Sequence, residues 1–367
     1  MARKIGIGLA VVAALLALQW WWVGGSVGLV AGALPDFPDW PEPPERLQAG
    51  DAGRLHFASL TPYDFDVILG GLEAAVPTTG VGTLVLPGGA SADAPVPAVV
   101  LLHGSGGITP GREMDYAELL AEAGYAVFAL DYYAPRGVDP VHDYMVKVVA
   151  VTEFDAVADA YGALRLLGTH PAIDGERVAL AGFSYGGMAA RIAMDERVRE
   201  ALAPESAGFS AFVDVYGPCF QKLGTQRTNG APLLTLRGTE DASNELPVCL
   251  RREDELRALG VEVEAHVFEG AGHAWENDAP RALREDAPYL AGCEIAYDAS
   301  GWAHVDGRPL AQLEPTSSRP ERVTARLIQG RPLGACVKSG YVIGSDPATK
   351  QRANALLLGF LGRTLVR

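Results

Sequence analysis

Short apolar runs alternate with longer segments of helical periodicity from residue 98 to residue 268 of this chain. Residues 98–102, 125–130 and 177–181 are rich in strand-forming side chains, and residues 151–167 carry apolar side chains at helical spacing. Such alternation is typical of right-handed βαβ crossovers, which build a mainly parallel sheet. The sequence therefore predicts an α/β fold with helices on both faces of the sheet.

Further elements extend this pattern at both ends. Three more strands and a closing helix are predicted at residues 211–216, 233–236, 261–268 and 353–365. The stretch 55–87 predicts antiparallel leading strands, including Phe65–Leu69 and Gly82–Pro87. Residues 280–348 mix Pro, Gly, Asp and Arg in short runs, so we expect an insertion before the last helix.

The first 33 residues differ in composition from the rest of the chain. Basic side chains precede a stretch, residues 5–33, that has no charged residue and is long enough to cross a bilayer. We expect residues 1–33 to be a signal anchor that forms a transmembrane helix, with a cleaved signal peptide as the alternative. The acidic residues that follow place the remainder on the periplasmic or extracellular face. The proline-rich stretch 34–50 predicts a stiff linker to a domain at 51–367.

Charge excludes one class of partner. With 30 Lys and Arg against 45 Asp and Glu, the formal net charge is −15. Nucleic-acid binding requires clustered basic side chains to displace counterions from phosphates, and no basic run occurs outside the N-terminus. We therefore expect no nucleic-acid partner, and membrane contact only through the N-terminal helix.

Four cysteines agree with export. Cys219, Cys249, Cys293 and Cys336 include no CxxC pair, so a zinc site is not expected. Disulfides form in oxidising compartments, and three pairings are possible. We favour Cys219–Cys249 and Cys293–Cys336 because each joins neighbouring segments, and four free buried thiols are the alternative. The second pair would staple the 280–348 insertion.

Residues 180–189, LAGFSYGGMA, place a serine in a GxSxG pattern between a predicted strand and a predicted helix. This pattern is typical of a nucleophile elbow, in which a sharp turn lifts the serine hydroxyl above the sheet. Gly182 and Gly186 would avoid collisions across that turn. Ser184 is therefore the predicted nucleophile, and a plain strand-to-helix turn is the alternative.

A serine hydroxyl needs a base that is oriented by a carboxylate, and two later strands end in such residues. Residues 233–241 form a strand that runs into Asp241, and residues 267–273 form the next strand, which runs into His273. We expect Asp241 and His273 to complete a triad with Ser184. Less favoured candidates for the acid are Glu240, Asp214 and Asp131. The less favoured candidate for the base is His103.

The HGSGG sequence at residues 103–107 supplies a third requirement of acyl transfer. The tetrahedral oxyanion needs backbone N–H donors, which glycine-rich turns can bring close. We expect these donors to be the N–H of Tyr185 and that of Ser105 or Gly106. A phosphate cradle is the alternative, but the Walker lysine is missing.

Side chains near these motifs are weaker candidates. Arg136 follows a predicted strand and could bind an acidic group of a substrate, although such an arginine is more often solvated. Tyr132, Tyr133 and Trp275 could line the pocket or pack in the core. No metal and no organic cofactor is expected.

Five motifs, in order and spacing, resemble the α/β-hydrolase superfamily and within it the dienelactone hydrolase family. They are LLHGSGG, GYAVFALDYYAPRG, ERVALAGFSYGGMAA, LLTLRGTEDA and FEGAGHAW. The resemblance covers about residues 55–290 and the last helix. It implies the α/β-hydrolase fold and a carboxylic ester hydrolase acting on a small-molecule ester or lactone.

This chain departs from the family's namesake enzymes at two places. Those enzymes use cysteine at the elbow, where this chain has Ser184, and they carry a glutamate near the position of Ser105 or Gly106. The departures favour a serine esterase mechanism. A peptidase or acyl-peptide hydrolase, and an inactive binding module of the same fold, are the alternative functions.

Overall fold

An eight-stranded sheet organises the part of the chain that the computed structural model describes, residues 34–139, 141–305, 307–310 and 312–366. Its strands lie in the order β1-β2-β4-β3-β5-β6-β8-β9. They are β1 Gly53–Thr61, β2 Val76–Val85, β3 Val96–Leu102, β4 Ala126–Asp131, β5 Ile173–Phe183, β6 Ala211–Val215, β8 Leu233–Gly238 and β9 Val263–Phe268. Strands β1 and β2 are antiparallel to their neighbours and the rest are parallel. The predicted α/β architecture with a mainly parallel sheet is confirmed.

Helices cover both faces of this sheet. The α-helices of the described ranges are α1 Phe65–Gly70, α2 Asp115–Glu122, α3 Tyr144–Ala150, α4 Glu153–Leu167, α5 Tyr185–Ile192, α6 Glu196–Leu202, α7 Leu246–Ala258, α8 Arg319–Leu333 and α9 Pro347–Leu365, of which α8 belongs to the 280–348 region. Strand β3 is buried on both sides, since Val100 packs with α4 and α5 while Val99 packs with α2 and α9. Each face of the sheet therefore has its own apolar core. The two cores together hold the carboxyl ends of the parallel strands in place.

The prediction of a strand at Phe65–Leu69 is wrong. This segment is the one-turn helix α1, and Phe65, Val67 and Ile68 are almost fully buried in it. Strand β1 pairs directly with β2, so no place between them is left for a strand. A short apolar run has the same pattern in a buried strand and a buried helix, which explains the error.

The proline-rich stretch 34–50 is not a detached tether. Leu47 is buried, the Trp40 ring lies 5.4 Å from that of His56, and the Pro35 carbonyl accepts a hydrogen bond from Arg319. Proline prevents regular pairing in this stretch, but an extended chain can still pack against a surface.

The predicted membrane segment, residues 1–33, lies outside the described residues. Within the described ranges, no helix has both the length and the apolar character needed to cross a membrane.

Residues 280–348 form small sheets and one helix beside the main sheet. Strands β10 (Ala282–Leu290) and β14 (Val337–Ile343) pair antiparallel, and β11 (Ile295–Tyr297), β12 (Ala303–Val305) and β13 (Arg308–Pro309) join β7 (Gln221–Lys222). Disulfides link Cys219 to Cys249 and Cys293 to Cys336, so the expected pairing is confirmed. The second disulfide lies just before β14 and ties it to the segment after β10.

Replacing Cys293 and Cys336 together by alanine should lower the free energy of unfolding by about 2–4 kcal/mol, because the cross-link restricts the unfolded chain. Urea unfolding under non-reducing conditions measures the change. The Cys219→Ala/Cys249→Ala pair is the matched control and should lose a similar amount, since the closed segments span 43 and 30 residues. An unchanged unfolding midpoint in the first variant would contradict the prediction.

Candidate active site

The turn between β5 and α5 holds Ser184 in an unusual backbone conformation. Its φ is +52° and its ψ is −112°, a region that non-glycine residues rarely occupy. A Cβ atom on Gly182 would lie 2.0 Å from the Gly186 carbonyl oxygen, and one on Gly186 would lie 2.5 Å from the Leu102 carbonyl oxygen. The two glycines therefore allow the sharp turn that lifts the serine side chain above the sheet.

Ser184, His273 and Asp241 meet at the carboxyl edge of the parallel strands. His273 Nε2 lies 2.9 Å from Ser184 Oγ, and His273 Nδ1 lies 2.6 Å from Asp241 Oδ2. Asp241 is 2% exposed and His273 is 8% exposed. The arrangement allows the imidazole to accept the serine proton while the carboxylate holds the opposite ring nitrogen.

The turn that follows Asp241 orients its carboxylate. The Ser243 hydroxyl and its backbone N–H donate to Oδ1, the latter at 3.1 Å, and Asn244 Nδ2 donates to Oδ2 at 2.9 Å. Sequence reasoning missed Ser243 and Asn244. The signal that could have found them is the D-A-S-N sequence, because Asp, Ser and Asn commonly bond to one another in tight turns.

The C-terminal strand β14 holds the backbone of His273. The His273 N–H donates to the Val342 carbonyl at 2.7 Å, and the Gly344 N–H donates to the His273 carbonyl at 3.0 Å. A Cβ on Gly272 would lie 2.6 Å from the Val342 oxygen, so this close approach requires glycine. The expected insertion thus contributes directly to the placement of the imidazole.

Two more strained residues adjoin the imidazole. Tyr216 has φ +45° and its ring lies 4.4 Å from that of His273, while Ala274 has φ +53°. Together with Ser184, they are three of the four non-glycine residues with positive φ in the described part of the chain. Backbone strain is thus concentrated around this group of side chains, as is common at functional sites.

Tyr185 and the HGSGG turn, which carry the expected oxyanion donors, lie beside Ser184. Tyr185 is the first residue of α5, so its N–H has no partner within the helix. The Gly107 N–H donates to the Gly104 carbonyl at 3.0 Å and closes the turn that contains Ser105 and Gly106. A Cβ on Gly104 would lie 3.4 Å from Ser184 Cβ, so this turn passes directly against the nucleophile.

A buried polar cluster links this turn to the histidine loop and was also missed. Arg112 Nη2 donates to the Gly107 carbonyl at 3.2 Å, and Arg112 Nε lies 2.6 Å from Glu113 and 3.8 Å from Glu276. Tyr216 donates to Glu276, whose pKa is raised by burial and held down in part by Arg112. The cluster therefore fixes the glycine turn relative to the end of β6.

Arg136 neither binds substrate nor is solvated, which corrects both roles considered for it. It is fully buried, and its guanidinium donates to Asp159 at 2.6 Å and to the Leu60 carbonyl at 3.0 Å. Its charge is thus committed to α4. The signal for this role was the pair Asp155 and Asp159, which lie one turn apart among apolar residues of a buried helix and require a buried cation.

The aromatic candidates pack in the core and do not line an open pocket. Trp275 is fully buried with its ring 4.8 Å from that of Tyr216. Tyr132 donates to the His103 carbonyl at 2.6 Å, and Tyr133 donates to the Ser105 carbonyl at 3.2 Å. Both tyrosines therefore stabilise the HGSGG turn through hydrogen bonds to its carbonyl groups.

No cluster of three or more His, Cys, Asp or Glu side chains that could hold a metal ion occurs in the described ranges.

Comparisons with known proteins give one match to a family. Residues 83–304 match the model of the dienelactone hydrolase family. Among curated proteins no significant match is found.

Solved structures of proteins described as esterases or as dienelactone hydrolase-like align with part of this chain. A dienelactone hydrolase-like promiscuous phosphotriesterase, P91, from metagenomic libraries is 20% identical, with a TM-score of 0.46 over 61% of this chain and 84% of that one. Native esterase 2 of Thermogutta terrifontis is 20% identical, with a TM-score of 0.42 over 59% of this chain and 83% of that one.

The variant Arg136→Ala should lose about 3–5 kcal/mol of unfolding free energy, because it leaves buried Asp159 without its counter-charge. Asp159→Asn, which leaves the arginine unpaired, should also be destabilising and serves as the matched variant. Urea unfolding measures both. If Arg136→Ala instead unfolds like wild type and raises KM, the arginine contacts substrate after all.

Proposed function

Because the chain belongs to the dienelactone hydrolase family, a family of carboxylic ester hydrolases, we propose that it cleaves an ester or lactone bond of a small molecule through a serine acyl-enzyme. The observation that carries this proposal is the continuous hydrogen-bonded chain from Ser184 Oγ through His273 to Asp241 Oδ2. Serine at the elbow and the buried, hydrogen-bonded carboxylate are the parts that such a mechanism needs.

Acylation begins when Ser184 Oγ attacks the carbonyl carbon and its proton passes to His273 Nε2. Asp241 stabilises the imidazolium, and the carbonyl oxygen takes up the negative charge. The N–H groups of Tyr185 and of Ser105 or Gly106 donate to that oxygen. The intermediate then collapses, and the proton on Nε2 moves to the leaving alkoxide.

Deacylation repeats the sequence with water. Nε2 takes a proton from the water as its oxygen attacks the acyl carbon, and the carboxylic acid leaves when that proton returns to Ser184 Oγ. For a lactone, the acid and the alcohol are released as one hydroxy acid. Each proton is moved by His273, and no cofactor takes part in the proposal.

We further propose that the domain works outside the cytoplasm, held by or released from the segment 1–33. The uncharged stretch at residues 5–33 supports this, as do two disulfides, which persist in oxidising compartments.

Ser184→Ala should lower kcat for short acyl esters by about 10⁴-fold or more, because no other group supplies the nucleophile. A fluorophosphonate probe should label wild type and the exposed-serine control Ser91→Ala, but not Ser184→Ala. Asp241→Asn should lose about 10⁴-fold in kcat with KM nearly unchanged. Labelling that survives Ser184→Ala would refute the mechanism, and faster turnover of aminoacyl amides than of esters would indicate a peptidase.

A further inference from the structure

Two partly exposed tyrosines lie beside the proposed catalytic imidazole, and they carry information about the substrate. We propose, on the basis of the serine esterase function above, that this tyrosine rim, formed by Tyr289 and Tyr341, selects esters that carry a flat aromatic group. The proposal rests on the positions of the two rings beside His273 and on their partial exposure.

Tyr341 is the ring nearest to the reaction centre. It lies on β14, and its centroid is 5.5 Å from that of His273 with the two planes at 85°. Tyr289, on the paired strand β10, stands 5.7 Å from Tyr341 at 84°. Both side chains are half-buried, unlike Tyr216, which packs on the same imidazole but is fully buried. Tyr341 and Tyr289 are therefore partly accessible beside the imidazole, whereas Tyr216 is covered.

The rim suits an aromatic ring. Tyrosine rings attract a flat ring through edge-to-face and offset-stacked contacts, beyond the effect of buried area alone. Tyr289 and Tyr341 meet at 84°, and both are only half-buried, so part of each ring remains open to a substrate.

The test compares two acetate esters whose leaving alcohols have similar acidity, phenyl acetate and hexafluoroisopropyl acetate. Wild type should have the lower KM for phenyl acetate. Tyr289→Leu should raise that KM about three- to tenfold while leaving the KM for the fluoroalkyl ester unchanged, and Tyr289→Phe should stay near wild type. Tyr341→Leu should show the same selective rise, with a smaller loss of kcat on both esters because Tyr341 packs against His273.

The outcomes separate this inference from the function on which it depends. If Ser184→Ala abolishes hydrolysis of both esters but Tyr289→Leu and Tyr341→Leu change both KM values equally, the aromatic preference is wrong and the serine mechanism stands. A lower KM for acetylcholine than for phenyl acetate would also overturn the preference, because tyrosines bind quaternary ammonium groups as well. If hydrolysis persists in Ser184→Ala, both proposals fail. Urea unfolding of the leucine variants, with Tyr289→Phe as the control, separates a change in KM from a loss of stability.

Discussion

The close approach of three main-chain segments at the β5–α5 turn is the constraint on which the site depends. Gly182 and Gly186 let the turn fold back on itself and against the end of β3, and Ser184 takes up a positive φ there. The strain is sustained because β5 lies in the middle of the sheet, where both apolar cores fix its end. The parallel register then brings the loops after β8 and β9 to the same edge, and with them Asp241 and His273.

The second determinant of the site is the region between residues 280 and 348. It does not extend the main sheet, yet Val342 of its strand β14 and the adjoining Gly344 are hydrogen-bonded to the backbone of His273. The same strand presents Tyr341 to the imidazole, and Cys336 anchors its start to Cys293. Support for the base and a candidate surface for substrate recognition therefore lie on one short strand.

The parts that could be predicted from sequence are those governed by local or repeating rules. Alternating strands and helices predict the sheet, and GxSxG at a strand end predicts the elbow at Ser184, because glycine spacing alone determines that turn. The placing of Asp241 and His273 follows from chain order along parallel strands. Arg136 was misjudged because its environment depends on Asp159, which reaches it only after α4 packs against β1. Phe65–Leu69 was misjudged because a short apolar run has the same hydrophobic pattern in a buried helix and in a buried strand.

The hydrogen bonds between His273 and β14 join positions that are about seventy residues apart in the chain. During synthesis, the serine, the acid and the base are all translated before the strand that sets the base in place. A polypeptide that has emerged only as far as His273 lacks the β14 support for its imidazole, so the three side chains of the proposed triad cannot take up this arrangement until nearly the whole chain has been made.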